Sequence, residues 1–122
     1  MKRNMDLVRS LLFELEEHPD GYSPDNIEVD GYSEEEVGYH FLLMVEAGLI
    51  EGEEISDLGS SSPSAMPIRL TWYGHDFLDA SRDSKRWKKA QGIFAKLGGV
   101  TMDVAVKILT DLMSQQVANL MK

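Results

Sequence analysis

With 122 residues, 43% of them hydrophobic, the chain suits one globular domain that buries roughly two-thirds of its unfolded surface. Having no cysteine, it excludes disulfides and thiolate metal sites, and its longest strongly apolar run, Phe41 to Val45, is far short of a membrane span. The net charge of −9 is unevenly spread: fifteen acidic residues and no lysine or arginine lie between Ser10 and Ile68, whereas six basic residues meet Asp83 alone from Arg82 to Lys96.

At the start, Arg9, Glu14 and Glu16 interrupt any apolar signal region, and a cytoplasmic protein is expected. Met5, Val8, Leu11, Leu12 and Leu15 recur at helical spacing and predict an amphipathic helix from about Asn4 to Glu17, ended by the turn residues His18-Pro19-Asp20-Gly21. In NIEVD, Ile27 and Val29 alternate with polar neighbours, the period of a half-buried strand. Ser33-x-x-Glu36 is a capping box that opens a second helix, and Gly48 ends it by taking the left-handed conformation and letting Leu49 fold back near Met44. LIEGEEI and MPIRLT read as strands flanking a flexible tip, DLGSSSPSA, which together make a wing. Thr71 caps a short helix, WYGHDFLDASRD, with Trp72 and Tyr73 expected to pack under the wing and His75 expected to be partly buried.

Ser84 starts a basic helix with Trp87, Ala90, Phe94 and Leu97 on one side and Lys85, Lys88, Lys89 and Lys96 on the other. After Gly98-Gly99, Thr101 caps a last helix to about Met121, whose stripe is Met102, Ala105, Leu109, Leu112, Met113 and Leu120. That stripe either completes the core or forms a homodimer seam, and the seam is the expectation carried forward. The fold class is therefore mainly α with a small β-sheet (α+β), a winged helix-turn-helix-like domain with extra C-terminal helices. Residues 1–83 form its core and 84–122 a helical extension (helices 84–97 and 101–121) in the same compact domain.

One departure from the winged-helix order is a strand in the place of the helix that ordinarily precedes the recognition helix. YHFLLMVEAGLIEG still resembles a recognition helix entering a wing, and IRLTWYGHDFLDA resembles the junction that closes one. Three blocks in order, MKRNMDLVRSLLFELEEH, GYSEEEVGYHFLLMVEAGLIEG and RLTWYGHDFLDASRD, resemble domain-of-unknown-function family 2513, a bacterial and phage group, over most of the chain. The resemblance implies a prophage or mobile-element setting and supplies no activity and no catalytic residues.

Charge then separates the functional readings. Glu34, Glu35 and Glu36 occupy the helix end that would otherwise attract a phosphate. A carboxylate about 8 Å from a phosphate in water costs roughly 0.5 kcal/mol, cut further by salt, and no cation compensates before Arg69. DNA binding by this helix is disfavoured. The plain reading of the glutamates is helix capping; the sharper one is an acidic face that docks a basic protein, including an inhibitor that imitates the charge of DNA. The lysines of the basic helix are either a solvated face or, with Arg69, the contacts of a DNA-binding regulator; they could also meet the glutamates of a second copy. Enzymatic chemistry is not expected. Glu36 and His40, one helical turn apart, lack a second ligand pair, His75-Asp76 has no accompanying nucleophile motif, Gly98-Gly99 lacks the phosphate-loop pattern, and no cofactor is implied.

Overall fold

The computed structural model describes residues 1–56 and 61–122, so part of the expected wing tip, residues 57–60, lies outside the described residues. Among the described residues the chain is mainly helical, with five helices and one two-stranded antiparallel sheet, an α+β composition. It divides into two compact units, Met1–His75 and Asp76–Lys122. The first carries four basic and sixteen acidic residues, a net of −12, and the second eight basic and five acidic, a net of +3.

In the first unit, α1 (Met5–Glu16) begins where the Asn4 side chain accepts from the backbone N–H groups of Asp6 (2.9 Å) and Leu7 (3.1 Å). Leu7, Val8, Leu11, Leu12 and Leu15 form its buried stripe. The next helix, α2 (Glu34–Glu46), opens on the expected capping box, with Ser33 Oγ accepting from Glu36 N–H at 3.1 Å and the Glu36 carboxylate accepting from Ser33 N–H at 3.0 Å. Val37, His40, Phe41 and Met44 are its buried residues. Gly48, at φ 77°, ends it, and Leu49 N–H donates back to the Met44 carbonyl at 2.9 Å. β1 (Ile50–Glu54) and β2 (Ala65–Leu70) then pair in antiparallel register, Ile50 opposite Leu70 and Glu51 opposite Arg69. A bulge follows at once, since Gly52 lies opposite Pro67.

The strand expected at NIEVD does not form. Ile27 and Val29 are half-buried and Glu28 and Asp30 exposed, so the alternation is expressed in burial without ladder pairing. The bulge has left Ile68 without an opposite residue in β1, and its carbonyl accepts from Ser23 N–H at 2.8 Å. Pro24 has no N–H to extend that pairing, and residues 24–30 enter no ladder.

At the corner between β2 and α3 (Trp72–Ser81), Thr71 Oγ1 accepts from Gly74 N–H (3.0 Å) and donates to the Gly48 carbonyl (2.5 Å), while Thr71 N–H donates to the Leu49 carbonyl (3.1 Å). The two chain segments approach so closely that a Cβ on Gly74 would lie 2.0 Å from the Leu49 oxygen. Two expectations for this helix are corrected. Trp72 is 84% exposed, not packed under the hairpin, and His75 is exposed, because the buried face of α3 runs through Gly74, Phe77 and Leu78.

In the second unit, α4 (Ser84–Leu97) is capped by Asp83, whose carboxylate accepts from Arg86 N–H at 2.8 Å, and ends at left-handed Gly98. Trp87, Ala90 and Phe94 are buried, with the two aromatic rings edge to face at 5.9 Å. Leu97, expected on the same side, is 57% exposed at the helix end. α5 (Met102–Leu120) is capped by Thr101, buries Ala105 and Leu109, and packs along α4. Beyond Met113 every residue of the helix is exposed.

Candidate functional site

The glutamate trio divides. Glu36 is drawn into the cap, and Glu34 and Glu35 are exposed and form no ion pair among the described residues. They stand where three depressions of the first unit meet, all of them lined by Glu34. One, of about 360 Å³, runs between the 23–27 segment, α2 and the hairpin; its floor is Val37, Phe41 and Ala65, and its walls include Ile27, Ile55, Met66 and Pro67. A second, of about 560 Å³, follows residues 26–32 past Val37. The third, of about 320 Å³, joins Glu34 and Glu35 to Ser61, Ser62 and Ser64. The combined trough has an apolar floor and a rim bearing Asp25, Glu28, Asp30, Glu34 and Glu35, and among the described residues no lysine or arginine lines it.

Sequence reasoning named Glu34 and Glu35 of this rim and missed Asp25, Glu28, Asp30 and the floor. Ile55 and Met66, 55% and 51% exposed, come from the hairpin, and Ile27 comes from a segment forty residues away in the chain from Pro67. The alternation at Ile27 and Val29 was the one local signal. Large exposed apolar side chains inside a charged rim have the composition of a docking surface, where burial of the apolar centre supplies affinity and charge selects the partner.

His40 lies on the buried side of α2 and is 1% exposed. Its Nε2 accepts from the Asn4 backbone N–H at 2.9 Å, which fixes the ring proton on Nδ1, and Nδ1 donates to the Glu36 carbonyl at 2.8 Å. Nε2 thereby ties the start of α1 to α2, while Nδ1 is held by the backbone of α2 itself and the Glu36 carboxylate caps Ser33, so both ring nitrogens of His40 are engaged within the protein.

The cations of the alternative reading divide as well. Arg69 forms a bidentate pair with Glu51, at 3.1 and 2.8 Å, and donates to the Leu70 carbonyl at 2.8 Å, so all three of its nitrogens are held within the hairpin. Lys85, Lys88, Lys89 and Lys96 are exposed and form no ion pair among the described residues. Arg86 lies between them in sequence but is structural. Its guanidinium donates to the carbonyls of Ala80 (2.6 Å) and Asp79 (3.0 Å) at the end of α3 and to the Gln116 side chain on α5. The Arg86 backbone N–H holds the Asp83 carboxyl below the usual carboxylate range, helped by the charges of Arg86 and Lys85.

The stripe expected as a dimer seam changes character along α5. Ala105 and Leu109 are fully buried within the protein, Met102, Leu112 and Met113 are half-buried, and Leu120 is 85% exposed.

A family model described as "Hypothetical protein (DUF2513)" matches residues 2–101, from the lead into α1 through to the cap of α5. The chain belongs to the DUF2513 family. An uncharacterized protein of Haemophilus influenzae is 35% identical over 127 residues, an alignment that spans 97% of this chain and 100% of the relative. The DUF2513 model therefore takes in the trough and the lysine helix and stops before α5, whereas the relative's alignment continues into that helix. No solved structure matches the chain. Among the described residues no helix is long and apolar enough to cross a membrane.

Proposed function

We propose that this DUF2513 protein is a non-enzymatic interaction module of winged-helix type and bacterial or prophage origin, whose acidic trough docks a basic segment of a partner protein. The observation that carries the reading is the meeting of three depressions at Glu34, with an apolar floor and a rim of carboxylates that, among the described residues, no cation lines. The order of α1, α2, hairpin and α3 supports the winged-helix reading, and the bacterial relative supports the setting. A lysine- or arginine-bearing segment with one or two apolar side chains fits this chemistry: the apolar groups cover Phe41 and Met66 while the cations meet Glu34, Glu35 and Asp25. A carboxylate-bearing face of this kind also suits an inhibitor that takes the place of DNA on a basic protein.

The test is affinity capture from the native host with the wild-type chain and with Glu34→Lys/Glu35→Lys, followed by crosslinking from position 34. A basic partner captured by the wild type, lost from the variant and crosslinked at the trough supports the proposal. Identical captures by both proteins would refute it.

A further inference from the structure

We infer that the lysine face of α4 is a seat for the phosphodiester backbone of a nucleic acid, with Gly92 as the point of closest approach. Lys85, Lys89, Gly92 and Lys96 succeed one another at spacings of four, three and four residues. At about 100° per residue they fall within about 60° of one another around the helix, in a single row about 16 Å long, with Lys88 at its flank. The row itself carries no apolar side chain, and Ile93, 36% exposed, stands at its other flank.

Gly92 is the unexpected member. It lies inside α4, its φ is not positive, and a Cβ added to it would meet nothing within 4 Å. Neither backbone geometry nor packing in the protein requires a glycine here, yet glycine inside a helix costs about 1 kcal/mol relative to alanine. Its effect is to leave bare backbone in the middle of a lysine row, so that a broad ligand can come down to the helix surface between Lys89 and Lys96.

The geometry beside the row fits the same ligand. A groove of about 350 Å³, with Asp83 and Leu112 also on its walls, separates Lys85 and Lys89 of α4 from Gln115 and Asn119 of α5. Side-chain amides and lysines are the donors that hold phosphate oxygens and sugars without reading sequence. Arg86, although held by its carbonyls, keeps its charge at the groove wall, and this unit as a whole is net positive by three. An acidic protein is the competing occupant. The observations favour nucleic acid because the apolar groups here, Ile93 and Leu112, stand at the margins and the centre of the row is lysine and bare backbone, whereas a protein interface places its apolar groups at the centre and phosphate contacts need only cations and polar donors. The inference is independent of the acidic trough, which belongs to the other unit.

The test is fluorescence anisotropy of the full chain with a labelled random-sequence duplex, and with the matching single strand, titrated across salt. The wild type is expected to bind at low salt, with affinity falling linearly on a logarithmic salt scale. Lys85→Gln/Lys89→Gln is expected to weaken binding at least tenfold and to reduce the salt slope by about 2, two phosphate contacts at about 0.9 each. Gly92→Ala is expected to raise the melting temperature while weakening binding, two opposite changes that a purely structural glycine would not give. Glu34→Gln/Glu35→Gln is expected to leave binding intact or strengthen it, which keeps this result separate from that of the trough. No binding to either probe at low salt, an unchanged slope in the double lysine variant, or undiminished binding by Gly92→Ala would overturn the inference. So would capture of an acidic protein that competes fully with the duplex for the lysine row.

Discussion

Replacing Gly74 by alanine tests the account of the β2–α3 corner most directly. The added methyl would stand 2.0 Å from the Leu49 oxygen, well over 1 Å inside an ordinary contact, and the obstacle is backbone, which cannot swing aside. Relief requires α3 to move away from the end of α2. That movement stretches the Thr71 N–H bond to Leu49 (3.1 Å) and the Thr71 hydroxyl bond to Gly48 (2.5 Å). Overpacking of this kind costs about 1–3 kcal/mol, and each weakened hydrogen bond adds about 1 kcal/mol. Alanine's better helix propensity returns about 1 kcal/mol, leaving a net loss of about 2–4 kcal/mol. Against a total stability on the order of 5–15 kcal/mol for a domain, such a loss is readily measured. Urea denaturation followed by circular dichroism supplies the number, and Gly92→Ala, with nothing near its added methyl, supplies a control expected to gain up to about 1 kcal/mol. One substitution in two helices should thus give opposite signs. A Gly74→Ala protein within about 0.5 kcal/mol of wild type would show that the corner yields without resistance and would sink the argument.

Three further outcomes follow from other sites. His40→Ala removes a buried ring and strands the Asn4 N–H, and is expected to cost about 3–4 kcal/mol in the same urea assay, with amide exchange accelerating first around residues 4–7. Asp83 has a folded pKa below its ordinary 3.8, so its cap on α4 contributes above that value and is lost as pH falls through the lower folded pKa. Its side-chain carboxyl carbon should therefore show an NMR titration midpoint below 3.8, and Asp83→Asn should remove the corresponding acid-range dependence of stability. Along α5, Leu109→Ala should cost about 3 kcal/mol and Leu120→Ala under about 0.5 kcal/mol in the monomer, measured by denaturation at two protein concentrations. A large, concentration-dependent effect at Leu120 would instead identify the last turns as a seam between copies.

Local chemistry was legible in the sequence wherever a few neighbouring residues decide the outcome. The Ser33–Glu36 box, the Gly48 turn, the Thr71 and Thr101 caps and the apolar stripe of α1 are all of that kind, because each is settled within one or two helical turns. Features fixed by distant segments were not legible. Alternation at Ile27 and Val29 records which side chains turn inward, but a ladder also needs an available edge, and that edge carries Pro67 and a bulge. Trp72 is exposed because Gly74, not the tryptophan, is the residue that meets the neighbouring backbone. The stripe of α5 continues in sequence past the point at which anything covers it, and periodicity cannot mark that point. Of the candidate site, Glu34 and Glu35 of the carboxylate rim were visible as charge. The groove beneath it was not, since three separate stretches of chain assemble its walls.

Arg86 has a consequence for the basic helix as a whole. Its three acceptors belong to the end of one helix and the flank of another, and each is met by a different nitrogen of the guanidinium, a division that a single ammonium cannot reproduce. The bearing of α4 is set by the burial of Trp87, Ala90 and Phe94 against its surroundings, and this guanidinium adds a polar anchor at the end from which Lys85, Lys88 and Lys89 project. An exchange of Arg86 for lysine would conserve the formal charge and yet give up most of that anchor, loosening the first turns of the helix and the lysines they carry.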